Sequence, residues 1–422
     1  METDQPPRPS ANRNLVVLFA VSALIGVGAA VYEVGLPLYF RELGMTWTHM
    51  GWVYGAAAAV TFAIRVGLGA WSDRAGRKIA YVVALGGAGL ATLATPFFRS
   101  VLVQGAIRSV ADPTIKAREA LHSVLLYEDS PSRFRGVFSR TRGVEFAFHV
   151  VGLLAAAWFL ARMAGVDGAN PLRWIFMGAA SMLLMSGWLF AFLYAERPAG
   201  DGPRPRLAWG DLLRPRLSRP MWILTASNFV FLFGVFISHC FALQLFFTEK
   251  YGAEPGDIFV IGALHRVACA IPLLLVGQVF RSHLKRWLML FLVLEGVFIA
   301  LPGFLPAGDT LHVLGLALPG LWTAVAVWLV HDLLGMGVWL PLQQELMQRH
   351  SRPESRGKDV SLAQSIAATG AILAPFVAGR LREWPGLDPA LTVNFPFIFS
   401  GLGVMLSALV LIPLPGDGPK DG

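Results

Sequence analysis

The chain has 422 residues, of which 55% are hydrophobic and 15% charged, with a formal net charge of +8 and a mean hydropathy of +0.57. So few charges exclude an ordinary soluble domain, and a chain this apolar must turn much of its surface to lipid. The positive balance does not indicate nucleic acid, because the basic residues lie in short segments between apolar runs.

A polar tail at 1–14 precedes twelve apolar runs of about 20 residues, each long enough to cross a hydrocarbon core of about 30 Å. They fall at 15–40, 47–70, 79–98, 101–126, 140–161, 172–195, 220–248, 258–280, 287–306, 320–349, 360–381 and 391–414. The first run is too long for a signal-peptide core and no small-residue cleavage site follows it, so it reads as a retained helix. Most of the 35 Lys and Arg fall in the tails and in the loops on the N-terminal side of the membrane. That asymmetry predicts an inner-membrane protein with both termini in the cytoplasm. A tail at 415–422 ends the chain.

Ionisable residues inside spanning helices are costly, about 2.5–3.5 kcal/mol each on insertion scales, and persist where they face a cavity or one another. The first run carries Tyr32 and Glu33, followed by Pro37. The loop after the second run reads GAWSDRAGRK (69–78), whose glycines permit a tight turn and close helix approach. The fourth run places Arg108, Asp112, Lys116 and Glu119 four, four and three residues apart, on one helical face in alternating sign. Pro113 follows Asp112 and cannot donate its backbone hydrogen bond, which predicts a broken helix beside a polar site. Arg142 and Glu145 at the start of the fifth run are expected to pair with Arg118 and Glu119. His149, one turn on, has a metal-ligand spacing without a third ligand in sequence. Arg65 is expected to reach back to the headgroups.

The segment 196–219, rich in Pro, Gly and Arg, is a tether between an N-terminal half (15–195) and a C-terminal half (220–414). The seventh run holds Asn228, His239, Cys240 and Gln244, and the eighth Cys269 together with His265 and Arg266, which suit either cavity lining or pairing with an acid. With two cysteines, both in apolar runs, a disulfide framework is not expected. The loop GQVFRSHLKR (277–286) echoes 69–78, with Arg281 where the first copy has Asp73. Glu295 stands alone in the ninth run, and 308–320 has room for an extra or re-entrant segment. The tenth run carries His331 and Asp332 near its middle, and His331 could titrate near neutral pH. The halves repeat: AREALHSVLLYEDSPSRFRG (117–136) and QQELMQRHSRPESRG (343–357) both set a Glu (Glu119, Glu345) before Ser/Pro and an Arg-Gly opening the next helix. Such repeats suit a transporter built from two related halves.

The loop 69–78 matches Gly-x-x-x-Asp-Arg-x-Gly-Arg-Arg/Lys through Gly69, Asp73, Arg74, Gly76, Arg77 and Lys78. In this the chain resembles the major facilitator superfamily. The resemblance implies an all-α membrane protein of twelve helices in two pseudo-symmetric six-helix bundles. It also implies that the first, fourth, seventh and tenth helices line a central cavity, and that Asp73 leans on the start of the eleventh helix as a gating latch. In that frame Asp112 and the His331–Asp332 pair are expected to face each other at mid-membrane.

The expected function is therefore secondary active transport of a small solute by alternating access, coupled to protons. Glu33, Arg108, Asp112, Lys116, His239, His331 and Asp332 form the pathway. No phosphate-binding loop for a nucleotide is present, no cofactor is implied, and no metal site is complete in sequence. The cations beside Asp112 favour an anionic or zwitterionic solute. The expected partners are the solute, protons and lipid, with the chain a monomer. Two alternatives remain. Glu33, Asp112, His239, His331 and Asp332 could serve a metal-ion carrier, for iron among others. A receptor or assembly factor could share the fold. An enzyme is not expected, since no catalytic motif or soluble domain is found.

Overall fold

The computed structural model describes residues 9–129, 134–164, 170–196, 210, 216–273, 282–313, 316–352 and 356–416. Within these residues, each of the twelve apolar runs falls on helix. The first half folds as α1 (Pro9–Glu42), α2 (Trp47–Ala75), α3 (Arg77–Ala94), α4 (Val101–Asp129), α5 (Phe134–Met163) and α6 (Pro171–Leu193). The second half opens with α7 (Arg219–His239), α8 (Ala242–Tyr251), α9 (Pro255–Leu273) and α10 (Leu284–Phe304). It continues with β1 (Thr310–Val313), β2 (Leu316–Pro319), α11 (Gly320–Leu334) and α12 (Leu340–His350). It ends with α13 (Arg356–Ala368), α14 (Gly370–Arg382), one turn at Pro389–Thr392 and α15 (Phe395–Val410). Among the described residues, eight helical spans are long and apolar enough to cross a membrane by length and composition. Helix is the solution because lipid offers no partners for free backbone groups. Large side chains such as Leu102, Trp158, Trp188 and Phe192 stay exposed, as a lipid-facing surface requires.

The sequence places the helix starts well. Thr46, Asn170 and Ser218 cap α2, α6 and α7 through their side chains, the last two followed by Pro in the first turn. Both repeated Arg-Gly pairs open helices, at the first turns of α5 and α13. Two expectations are corrected. Pro113 does not break α4, which runs unbroken through it; the Thr114 hydroxyl donates to the carbonyls of Val110 and Ala111 at 2.7 and 2.9 Å. The breaks lie in the other half instead: between α7 and α8 at Cys240 and Phe241, in a π turn at Gly335–Trp339, and at Thr369. The described residues of 308–320 form an antiparallel hairpin rather than a further membrane segment, with Thr310 opposite Pro319.

Among the described residues, three hydrophobic cores hold these helices. One lies wholly in the first half, from Val17 to Tyr194, and one wholly in the second, from Met221 to Leu414. The third draws on both halves, joining Tyr32, Tyr39, Trp47, Tyr54 and Phe176 to Phe241, Phe247, Phe259, Trp328 and Ala374. The separate cores hold the end of the molecule where α1 begins and α15 finishes. The shared core closes the opposite, far end. There α2 lies on α14 and α5 on α9. Glycine makes the first contact possible, because a Cβ on Gly55 would collide with the Phe376 ring and one on Gly51 would stand 2.5 Å from the Pro375 carbonyl oxygen. Among the described residues, the two halves thus share a core at the far end, while at the end bearing the chain termini each has a core of its own.

Candidate functional site

In the first half the charges of α4 are paired in sequence. Arg108 Nη2 lies 3.1 Å from Asp112 and Lys116 Nζ 3.2 Å from Glu119. The Arg108 guanidinium also sits 3.7 Å above the Tyr54 ring of α2, a cation–π contact that holds it in a low-dielectric wall. Beside it the Tyr32 and Thr95 hydroxyls share a hydrogen bond of 3.1 Å. Glu33 of α1 reaches the other half, where Arg266 of α9 donates to it at 2.7 Å. The Glu33 and Lys116 side chains remain 58% and 60% exposed. Glu33 is thus bonded across the two halves and still exposed.

A deeper network holds α4 to α5. Arg118 donates to both carboxylate oxygens of Glu145 at 2.7 and 3.2 Å, and Arg142 adds a third contact at 3.2 Å. The expected pairing is thereby corrected in part: Glu119 turns to Lys116, leaving Glu145 with two arginines. Arg118 and Glu145 are buried, so this bidentate pair works where charges demand partners. His149 packs its ring edge-on against Phe146, and its Nδ1 has no partner among the described residues.

The second half gathers a different chemistry. His239 ends α7, His265 and Cys269 lie one turn apart on α9, and His331 and Asp332 lie near the end of α11. His265 Nδ1 donates to Asp332 Oδ2 at 2.6 Å, and His331 Nε2 lies 3.1 Å from Oδ1. His239 Nε2 lies 2.9 Å from His331 Nε2, and Cys269 Sγ is 3.4 Å from Asp332 Oδ1. Trp328 covers the three imidazoles at ring distances of 4.7 to 5.7 Å. Asp332 is 3% exposed, enclosed by its own half. No direct contact joins Asp112 to His331 or Asp332 among the described residues; Asp112 is paired with Arg108, and Asp332 with His265 and His331. The acid that the sequence left open for His265 is Asp332, while Cys269 had no assigned role; their four-residue spacing was the available signal. Glu295 of α10, without a role in sequence, is also buried, against Gly335.

At the far end Glu249 of α8 gathers Trp47 Nε1 at 2.9 Å, Arg382 at 2.9 Å and Arg41 at 3.2 Å. Glu383 accepts from the backbone amides of Trp47 and Thr48 at the start of α2, where the helix dipole favours a carboxylate. These contacts seal the far end from both halves. At the opposite end, Arg65, Asp73 and Arg74 lie outside the described side chains, and Gly277 and Arg281 outside the described residues, so the expected Asp73 latch is not visible. Gly69 lies within α2. Gly76 turns the chain at φ +92° between α2 and α3, and Glu196 accepts from the Lys78 amide at 3.1 Å. Arg77 opens α3.

The comparisons agree with this architecture. The sequence matches the Major Facilitator Superfamily over residues 3–110 and 140–375. Among solved structures, a point mutant of the nucleoside transporter NupG aligns at TM-score 0.77 and 11% identity, over 95% of this chain and 99% of that one. A bacterial homologue of the human lysosomal transporter Spinster, inward-facing and unoccupied, aligns at 0.71 and 14%, over 96% and 97%. The inward-open xylose transporter XylE from E. coli aligns at 0.67 and 14%, over 97% and 98%. With its span-length helices, its paired halves and this match over most of its length, the chain is a multi-pass membrane transporter, not an enzyme, and belongs to the Major Facilitator Superfamily.

Proposed function

We propose that this protein is a secondary active transporter of a small anionic or zwitterionic solute, coupled to protons and working by alternating access. The observation that carries this reading is the asymmetry of the two ends: one shared core and a sealed gate at the far end, separate cores at the other. Residues 15–195 and 220–414 are the rocking halves, 196–219 the tether, and 1–14 and 415–422 the tails. The charge asymmetry of the loops favours both termini in the cytoplasm of a cell with an inner membrane, which makes this conformation inward-facing. The protein acts as a monomer.

The solute site is the wall of Tyr32, Glu33, Tyr54, Arg108, Asp112, Lys116 and Arg266. Three cations and the carboxylates of Glu33, Asp112 and Glu119 alternate there. A solute carboxylate competes for Arg108 or Lys116 and frees an acid, whose best compensation is a proton. The charged groups that act on Asp112 are Arg108, Lys116 and Glu33, so its proton affinity follows their movement. His239, His331 and Asp332 of the second half are the other members of the pathway. The test is a binding panel on the purified protein with succinate, dialanine, xylose and putrescine, one per charge class, read by thermal stabilisation. Succinate or dialanine should stabilise, and Lys116→Ala should weaken the effect. A response confined to xylose or putrescine would overturn the assignment.

A further inference from the structure

Glu295 stands apart from the other buried acids. Asp129 is held by Asn14 and Tyr194, Glu145 by Arg118 and Arg142, Asp332 by His265 and His331, and Asp359 by Arg352. Glu295 of α10 is 3% exposed, and its Oε2 has no hydrogen-bond partner among the described residues. A carboxylate anion there lacks the donors that would replace water, and a buried acid so placed takes up a proton instead.

The elements packed against α10 are α15, α11, the π turn and α12, and none brings Glu295 a cation. The α15 and π-turn segments contain no titratable residue. On α12, Glu345 and Arg349 pair with each other at 2.6 Å, and His350 is the last residue. On α10 itself, Lys285 lies in the first turn and donates to the carbonyls of Ile412 and Leu414. From α11, His331 and Asp332 act electrostatically on Glu295. His331 directs Nδ1 to the Trp328 carbonyl and Nε2 to Asp332 and His239, so neither nitrogen is left for Glu295. The Cys269 thiol of α9 also turns to Asp332. The Asp332 carboxylate adds negative charge, which favours a proton on Glu295 further.

The Glu295 carboxyl lies on Gly335, where α11 gives way to the π turn. A Cβ there would stand 2.6 Å from Oε1 and 3.2 Å from Oε2. On the other flank, a Cβ on Gly296 would stand 2.5 Å from the Gly401 carbonyl oxygen, so α10 and α15 meet backbone to backbone. The π turn is thus the wall that can move. It holds an extra residue, and losing that residue would swing the helix after it by about 100°. We propose that Glu295 is a second proton-binding site, separate from Asp112, which carries a proton in this conformation and releases it when the π turn moves off the carboxyl. On release the O–H bond breaks with both electrons left on the carboxylate, and the proton passes to water admitted beside Gly335. The role of this site rests on the proton-coupled reading, to which it adds a proton tied to movement of the second half rather than to the solute.

The experiment is infrared spectroscopy of the full-length protein in lipid membranes at neutral pH. The wild type should show the carbonyl stretch of a protonated carboxyl group, shifted on exchange into deuterium oxide. Glu295→Gln should lose that component, and Asp112→Asn should keep it. Gly335→Ala should shift it, because the added Cβ displaces the carboxyl. Folding of each variant is checked by size-exclusion profile. Absence of any protonated-carboxyl band from the folded wild type would overturn the site, as would a band of full strength in Glu295→Gln. In Gly55→Ala, with the far end shown open by faster cysteine labelling, the band should weaken; full strength there would overturn the release. These readouts need neither solute nor gradient. Their failure is therefore distinct from that of the proton-coupled reading, which fails when uptake by the wild type ignores a pH gradient.

Discussion

Asp112 and Arg108 stand one helical turn apart, and their 3.1 Å contact makes each the condition for the other's charge. Removing the carboxylate while keeping its shape isolates the proton role. Asp112→Asn in proteoliposomes should still bind solute but lose acceleration by an imposed pH gradient; undiminished acceleration would end the proton role of this residue. Arg118 and Glu145 answer a different question, because they are buried and bonded at two points. Arg118→Met leaves Glu145 with Arg142 alone and should destabilise the protein by about 3–5 kcal/mol, read as a lower denaturation midpoint in detergent. Arg118→Met combined with Glu145→Gln should recover much of that loss, as removing both charges leaves no carboxylate short of a partner.

Between elements, the close approach of α2 and α14 depends on the absence of side chains. A Cβ at Gly55 would run into the Phe376 ring, whereas one at Gly105 would find its nearest neighbour at 3.9 Å. Gly55→Ala should therefore hold the far end apart, and a cysteine introduced there should react faster with a membrane-impermeant reagent. Gly105→Ala should leave that rate unchanged. The discontinuities of the second half have a physical logic of their own. Helix breaks free backbone groups and are tolerated in membranes only where protein covers them or water reaches them. The break after His239 and the π turn after α11 both adjoin the histidine cluster, which is where such cover is dense.

Over the whole molecule, the balance between the two end states rests on a gate of few members. Glu249 binds Trp47, Arg382 and Arg41 at once. Arg41 is half-exposed and adds little; the better-covered Arg382 and Trp47 carry more. Glu249→Gln should weaken far-end closure by about 1.5–3 kcal/mol. Spin-label distances across the far end should then shift toward the longer population, and an unchanged distribution would show that the aromatic core alone holds the gate.

The class of the protein was legible before any folding was considered. Twelve apolar runs, the loop 69–78 and the repeated Arg-Gly openings are local signals, set by the thickness of lipid and by turn chemistry within a few residues. The alternating face of α4 was readable for the same reason, since helical spacing fixes which neighbours meet. The way distant residues combine came only with the packed helices. Glu33 finds Arg266, and His239, His265 and His331 converge on Asp332, because α1, α7, α9 and α11 are placed by packing that no local pattern encodes. The same packing keeps α4 intact at Pro113, turns Glu295 inward, and encloses Asp332 among residues of its own half. Side-chain direction around a buried helix depends on the neighbouring helices, and those are chosen only when the whole chain has folded.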